Sequence, residues 1–296
     1  MTDARLSLFA SLVTAAAGVL WGFYWLPVRR LEEAGLAGAW GTLAIVFLAV
    51  LMLAPVALVR RAHLRAADPG ALAAVALGGG AFVLYSVGLV YGRVAIVVLL
   101  FFLTPVWSVL LARFVLGWQT PRLRMVAICL GLAGLAVMLS AGGTMPWPRG
   151  IGEWCGLVSG LLWSLATTGI RMRPAMAPPD AAFVFACGAC VMAGIAAPLF
   201  APWPQDMAPQ GLAVALGWAL AAAAFWWVLS MAGLMWATAR LDPARVGILL
   251  MSEVLVGAAS AAWLAGETLN GIEIAGGALV LCAGLLEVWP VRRPRG

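Results

Sequence analysis

The chain has 296 residues, of which 64% are hydrophobic and only 10% charged, and its mean hydropathy is +1.03. An ordinary globular chain is about 45–50% apolar and about 25% charged, so this composition excludes a water-facing surface and makes lipid the solvent. All eighteen basic residues are arginine and the net charge is +6, yet they fall in ones, twos and threes with no basic stripe, which argues against a nucleic-acid partner.

A helix crossing about 30 Å of hydrocarbon needs roughly 20 mostly apolar residues. Cutting at charged and Pro/Gly-rich joints predicts ten such helices: Leu6–Val28, Ala37–Val59, Ala71–Tyr91, Val94–Leu116, Met125–Ala141, Ile151–Ile170, Asp180–Phe200, Gly211–Trp236, Ala244–Leu264 and Gly271–Trp289. The first outruns the core of a cleavable signal peptide and reads as a span. With a cytoplasmic N-terminus, fourteen arginines lie inside: Arg5, Arg60, Arg61, Arg65, Arg113, Arg122, Arg124, Arg171, Arg173, Arg240, Arg245, Arg292, Arg293 and Arg295. Four lie outside: Arg29, Arg30, Arg93 and Arg149. The bias predicts cytoplasmic termini and an even number of spans. Two outer connections carry Pro146-Trp147-Pro148 and Pro202-Trp203-Pro204, suited to the headgroup layer.

The chain also resembles itself. Gly18-Val-Leu-Trp21 with Arg29 matches Gly160-Leu-Leu-Trp163 with Arg171, Leu116-Gly117 matches Ala265-Gly266, and Ala133-Gly134-Leu135 matches Ala283-Gly284-Leu285. The order is kept, which predicts a first five-helix repeat over 1–141, an outer linker over 142–150 and a second repeat over 151–296. Five spans per copy force the second to enter the membrane from the opposite side. The expected fold is therefore an all-α integral membrane protein of ten helices in two inverted repeats around a midplane cavity. Gly18/Gly22, Gly88/Gly92 and Gly152/Gly156/Gly160 are small-residue pairs suited to close helix packing.

Cys129, Cys155, Cys187, Cys190 and Cys282 all lie in apolar runs and read as packing residues. The Cys187-Gly-Ala-Cys190 spacing lacks a second ligand pair and a nearby histidine, so no metal and no cofactor is expected. An enzyme is not expected either. The sole histidine, His63, sits in a connection, Gly156-Leu-Val-Ser159-Gly160 is not a nucleophile elbow, and no Walker motif is present.

Polar and aromatic residues deep in spans are the candidate site. Thr14, Gly18, Trp21 and Trp25 share one face of the first helix, and Ser159, Trp163 and Thr167 share one face of the sixth. For Trp21 and Trp163, core packing and substrate contact both fit. Thr104-Pro105, flanked by Phe101 and Trp107, breaks the fourth helix, as a packing kink or beside a cavity. Glu253, with Gly257 and Ser260 on its face, lies near the centre of the ninth span. A charge there costs about 2.5–3.5 kcal/mol on insertion scales, so it is expected to face the interior. It can bind a substrate ammonium, couple to protons or cap a neighbouring helix, and its repeat counterpart is Thr104. Tyr85 and the window Ala223–Leu229, with Phe225, Trp226 and Trp227, add aromatic surface. The candidate substrate-binding set is Trp21, Tyr85, Thr104, Trp107, Trp163, Trp227 and Glu253, with Pro105 as the helix break. Such a lining suits planar apolar molecules and cations, and no deep arginine pair is available to clamp phosphate.

In Gly18-Val-Leu-Trp21-Gly22, Thr104-Pro105-Val106, Ser252-Glu253-Val254, Leu264-Ala265-Gly266-Glu267 and Ala275-Gly276-Gly277, the chain resembles the EamA-type ten-helix members of the drug/metabolite transporter superfamily. Family halves often carry Glu-Pro, whereas here Val254 follows Glu253 and Thr104 precedes Pro105. Within the family the chain looks most like the YddG-type exporters of aromatic amino acids. The resemblance implies efflux across a bacterial cytoplasmic membrane by alternating access, with amino acids or related metabolites as substrates. Lipophilic cations and nucleobases are alternative cargoes. A channel-like protein and a membrane-embedded enzyme are the rivals from other classes. Expected partners are the small-molecule substrate and the bilayer, with a monomer or weak homo-oligomer as the assembly.

Overall fold

Lipid offers no hydrogen bonds, so each apolar run must satisfy its backbone within its own segment, and a helix does this. In the computed structural model, residues 3–117, 122–141, 147–205, 208–238, 240–241 and 243–288 are described, and among them there is no strand. The helices are α1 (Arg5–Glu33), α2 (Ala39–Val59), α3 (Pro69–Tyr91), α4 (Val94–Val115), α5 (Arg122–Ser140), α6 (Ile151–Arg171), α7 (Pro178–Phe200), α8 (Pro209–Leu234), α9 (Arg245–Leu264) and α10 (Gly271–Val288). A short helix, Arg61–Ala66, follows α2. Seven of the ten are long and apolar enough to cross a membrane, α5 and α10 hold shorter apolar stretches, and α6 has 21 residues with Glu153 and Arg171 towards its ends. The protein is thus an all-helical, multi-pass membrane protein of ten helices. Trp289, Pro146, Arg292, Arg293, Arg295 and residues 142–146 of the expected linker lie outside the described residues.

The pairing of helices carries the repeat. Helix α1 packs along α9 as α6 packs along α4, α3 lies on α6 as α8 lies on α1, and α3 lies on α7 as α8 lies on α2. The pairs α2–α7, α4–α9 and α5–α10 close the set. Replacing every helix by the one five places away returns the same pairings, which is the signature of a pseudo-two-fold relation. The helix ends repeat too. Gly117 (φ 68°) ends α4 and Gly266 (φ 65°) ends α9 in the left-handed region, where a side chain would be strained.

Glycine lets the seams close. A Cβ on Gly22 would stand 2.9 Å from the Glu253 carbonyl oxygen and the Gly257 nitrogen of α9. In the related seam a Cβ on Gly160 would stand 2.8 Å from the Phe101 carbonyl oxygen of α4. These glycines serve packing. Gly134 of α5 and Gly276 of α10 meet in the same way, with the Gly276 carbonyl oxygen 2.7 Å from a Cβ on Gly134. On the outside of the bundle, Val191, Ile195 and Leu199 of α7 and Leu216, Leu220 and Phe225 of α8 are exposed, as a lipid-facing surface requires.

Among the described residues, three helices are interrupted. Helix α4 breaks at Phe102–Leu103, and Thr104-Pro105 opens its next segment, because proline offers no N–H and disfavours helix in the residue before it. Helix α9 breaks at the related place, Met251, just before Ser252-Glu253 and with no proline. Helix α1 breaks at Phe23–Tyr24, where α6 has no counterpart.

Candidate functional site

The centre of the bundle is an aromatic lattice drawn from both repeats. Phe82 of α3 is its hub, with its ring centroid 4.8 Å from Trp21 of α1, 5.5 Å from Tyr85 of α3 and 5.3 Å from Trp227 of α8. Tyr24, beside the α1 break, joins Trp21 at 5.1 Å and Phe82 at 5.3 Å. Phe185 of α7 lies 5.5 Å from Trp227 and 5.9 Å from Trp163 of α6. Phe101 closes the ring between Trp163, at 6.2 Å, and Tyr85, at 4.7 Å. Most contacts are edge-on or tilted, the geometry that the ring quadrupole favours.

Behind this lattice stands the deep carboxylate. The Tyr85 hydroxyl donates to Glu253 Oε1 at 3.1 Å, tying α3 to the start of the second segment of α9. The indole N–H of Trp21, a side chain only 5% exposed, has no hydrogen-bond partner, and the same holds for Trp107 Nε1. An unpaired buried donor is costly, and Trp21 carries that cost inside the lattice.

The other half of the α4–α9 symmetry is quieter. Thr104 Oγ1 donates to the Phe101 carbonyl at 2.6 Å and lies 3.4 Å from the Gly160 carbonyl, while the Ser164 hydroxyl donates to the Thr104 carbonyl at 2.8 Å. Thr104 and Ser164 therefore absorb backbone groups freed by the α4 break.

A cavity of about 310 Å³ leads from one face of the bundle to the lattice. Its rim includes Ala71, Pro174, Met176 and Pro178 at the ends of α3, α6 and α7, and its floor is Trp163, Phe185 and Trp227. Thr167 is the one residue with a polar side chain apart from the indoles, and its hydroxyl is already bonded to the Trp163 carbonyl at 2.9 Å. Ion pairs at this face join α2 to α7, with Arg60 bidentate to Asp180 at 2.7 and 2.9 Å, and Arg173 to Asp68 at 3.6 Å.

The opposite face is tied differently. Arg29 at the end of α1 donates to Glu267 at 2.8 Å, to the Gly92 carbonyl at 2.8 Å and to the Leu89 carbonyl at 3.0 Å. Arg93, between α3 and α4, is bidentate to Glu273 of α10 and also reaches the Thr268 carbonyl. That hydrogen-bonded carboxylate holds the Arg93 guanidinium above its ordinary range. Glu273 also accepts from the Asn270 N–H, which returns the bond through its own side chain in a capping box.

Of the residues singled out from sequence, the structure brings Trp21, Tyr85, Trp163, Trp227 and Glu253 together, with Tyr85 as the link to the carboxylate. Thr104 lies in the α4–α6 seam next to Phe101. Trp107 packs on the core one turn further along α4, with no ring contact to the lattice among those described. Trp25 is turned away by the α1 break and donates to Ser260 at 2.9 Å. Phe225 does not line the interior, because it is 53% exposed and faces outward. Helical residues two apart point to nearly opposite sides, so Phe225 cannot share the inward face of Trp227. Sequence reading missed Tyr24, Phe82 and Phe185, since phenylalanine in an apolar helix fits the lipid face as well as the core.

A ten-helix inverted bundle with a cavity running to a central lattice defines the membrane carrier class. The model of the EamA-like transporter family matches residues 8–140 and again 150–288, and the chain belongs to that family. No curated protein matches the sequence. Among the solved structures that match, a protein crystal structure shares the fold at a TM-score of 0.54, with 18% identity over 94% of this chain and 95% of its own.

Proposed function

We propose that the chain exports small organic molecules, foremost aromatic and other neutral amino acids and related metabolites, in the manner of the YddG-type exporters. The observation that carries this reading is the apolar vestibule ending on an aromatic lattice with a single carboxylate behind it. Apolar side chains suit the vestibule, an ammonium suits Glu253, and the unpaired Trp21 N–H suits a carboxylate oxygen. Alternating access then works by rocking the two repeats about the lattice, with the arginine-rich face in the cytoplasm of a bacterial cell and a monomer or weak homo-oligomer as the assembly.

A second reading is export of lipophilic cations. It is favoured by the absence, among the described residues, of any arginine on the lattice or vestibule to neutralise a substrate carboxylate. Counterflow in proteoliposomes separates the two. Saturable, trans-stimulated exchange of neutral amino acids supports the first, exchange confined to lipophilic cations supports the second, and no exchange of either removes both substrate classes.

A further inference from the structure

We infer that Arg29, Arg93, Glu267 and Glu273 form the gate that closes the transport path on the face opposite the vestibule. This rests on the carrier reading above.

The cluster joins three places that are far apart in the chain: the end of α1, the α3–α4 junction and the α9–α10 junction. Its bases come from the first repeat and its acids from the second. Glu267 Oε1 accepts from Arg29 and also from the Val94 N–H at 3.1 Å, so one carboxylate pins the ends of α1 and α4 to the end of α9. These same helices carry Trp21, Phe101 and Glu253 further along. Exchanging each helix for the one five places away puts the vestibule's counterpart on this face between α8, α1, α2 and α3, and Arg29 closes it by holding the end of α1 to the Leu89 and Gly92 carbonyls at the end of α3. The chain is delivered to the gate by Gly266, whose positive φ ends α9 and turns Glu267 back towards Arg29.

The repeat shows that this is a device of one face. At the register that superposes Gly117 on Gly266, Glu267 corresponds to Trp118 and Glu273 to Arg124. The related positions on the opposite face therefore hold no acid, and among the described residues the ion pairs there hold α2 to α7 and α3 to the residues after α6. The latch is also built to open. The Arg29 and Glu267 side chains are 23% and 11% exposed, so the pair is largely desolvated, and Glu267 Oε2 is buried without a partner. An ion pair that leaves one oxygen unsatisfied recovers only part of its desolvation cost, which keeps the closed state from becoming a trap.

The test uses the full chain with its five cysteines replaced, carrying Val28→Cys. Val28 is 2% exposed and, at the register that superposes Arg29 on Arg171, corresponds to Ile170 in the wall of the vestibule. A membrane-impermeant maleimide is added to intact cells. The parent should label slowly. Glu267→Gln with Glu273→Gln should raise the labelling rate by about tenfold, because the arginines lose their partners. Exchanging the charges, Arg93→Glu with Glu273→Arg, should return it towards the parent rate. Where the double substitution lowers membrane yield, Glu273→Gln alone is scored in the same way. Labelling that does not rise in the glutamine variants, or that rises as much in the exchanged pair, overturns the gate. If labelling follows the gate but the unaltered chain shows no counterflow, the closure stands and the carrier reading fails.

Discussion

The seams α1–α9 and α6–α4 are the same piece of structure used twice, and they differ where chemistry begins. Both are closed by glycines that admit a partner backbone, Gly22 in one and Gly160 in the other, and both sit beside a helix break. At the break, one seam places Glu253 against Tyr85, and the other places Thr104 against main-chain carbonyls. Duplication thus supplies a symmetric scaffold in which only one copy holds a charge. A carrier needs two related arrangements of similar energy, and the shared packing provides them. In the proposed function, the unshared carboxylate is what a substrate ammonium meets.

The sharpest way to break the likeness is to fill the glycines. Gly22→Leu and Gly160→Leu each drive a side chain into main-chain atoms that cannot step aside, and each should cost about 3 kcal/mol or more. Thermal unfolding in detergent should show comparable losses for the two. Gly217→Leu, at an exposed α8 position with nothing within 4 Å, should leave the transition where it is. Unequal losses at Gly22 and Gly160 would mean that the seams are not mechanically equivalent.

The next test separates the chemistry of the seams from their packing. Glu253→Gln keeps the shape and can still accept from Tyr85, so a purely structural carboxylate would tolerate it. If the charge receives a substrate ammonium or a proton, exchange in proteoliposomes should fall by at least about tenfold, equivalent to about 1.4 kcal/mol of lost interaction. Thr104→Val at the related position removes hydrogen bonds within the seam and should cost about 0.6 kcal/mol of stability, with little change in exchange. Unchanged transport and unchanged pH dependence in Glu253→Gln would take the carboxylate out of the mechanism.

What could be read in the sequence follows from how local each cause is. The ten helices were legible because lipid imposes a length and an apolar composition on each segment separately. The α4 break was legible because Pro105 marks it. The break at Phe23–Tyr24 has a mark of its own in Pro27, which cannot donate to the Phe23 carbonyl four residues back, whereas the break at Met251 has no proline after it and left no such sign in the sequence. Glu253 stood out by its cost in a membrane, whereas its partner Tyr85 was one more aromatic until the fold set α3 against α9. The gate residues were visible only in other guises, Arg29 as a marker of the repeat and Glu267 as part of a closing pattern. Their pairing spans most of the chain and could not be read from either neighbourhood.

The smallest effect falls on two tryptophans with the same defect in different surroundings. Trp21 and Trp107 each bury an indole N–H with no partner, but Trp21 sits in ring contact with Tyr24, Phe82 and Trp227, while Trp107 packs on the core beyond the lattice. Replacing either by phenylalanine removes an unsatisfied donor together with part of an apolar ring. The lost ring area destabilises and the relieved desolvation stabilises, so each variant should stay within about 1 kcal/mol of the parent. Stability therefore cannot tell them apart, and exchange can. If the Trp21 N–H meets a substrate acceptor, Trp21→Phe should raise the half-saturating concentration several-fold, the worth of about 1 kcal/mol from one neutral hydrogen bond. Trp107→Phe should leave it unchanged. Equal effects from the two would place the substrate outside the lattice. A larger effect from Trp107 would move the binding site one turn along α4, away from Glu253.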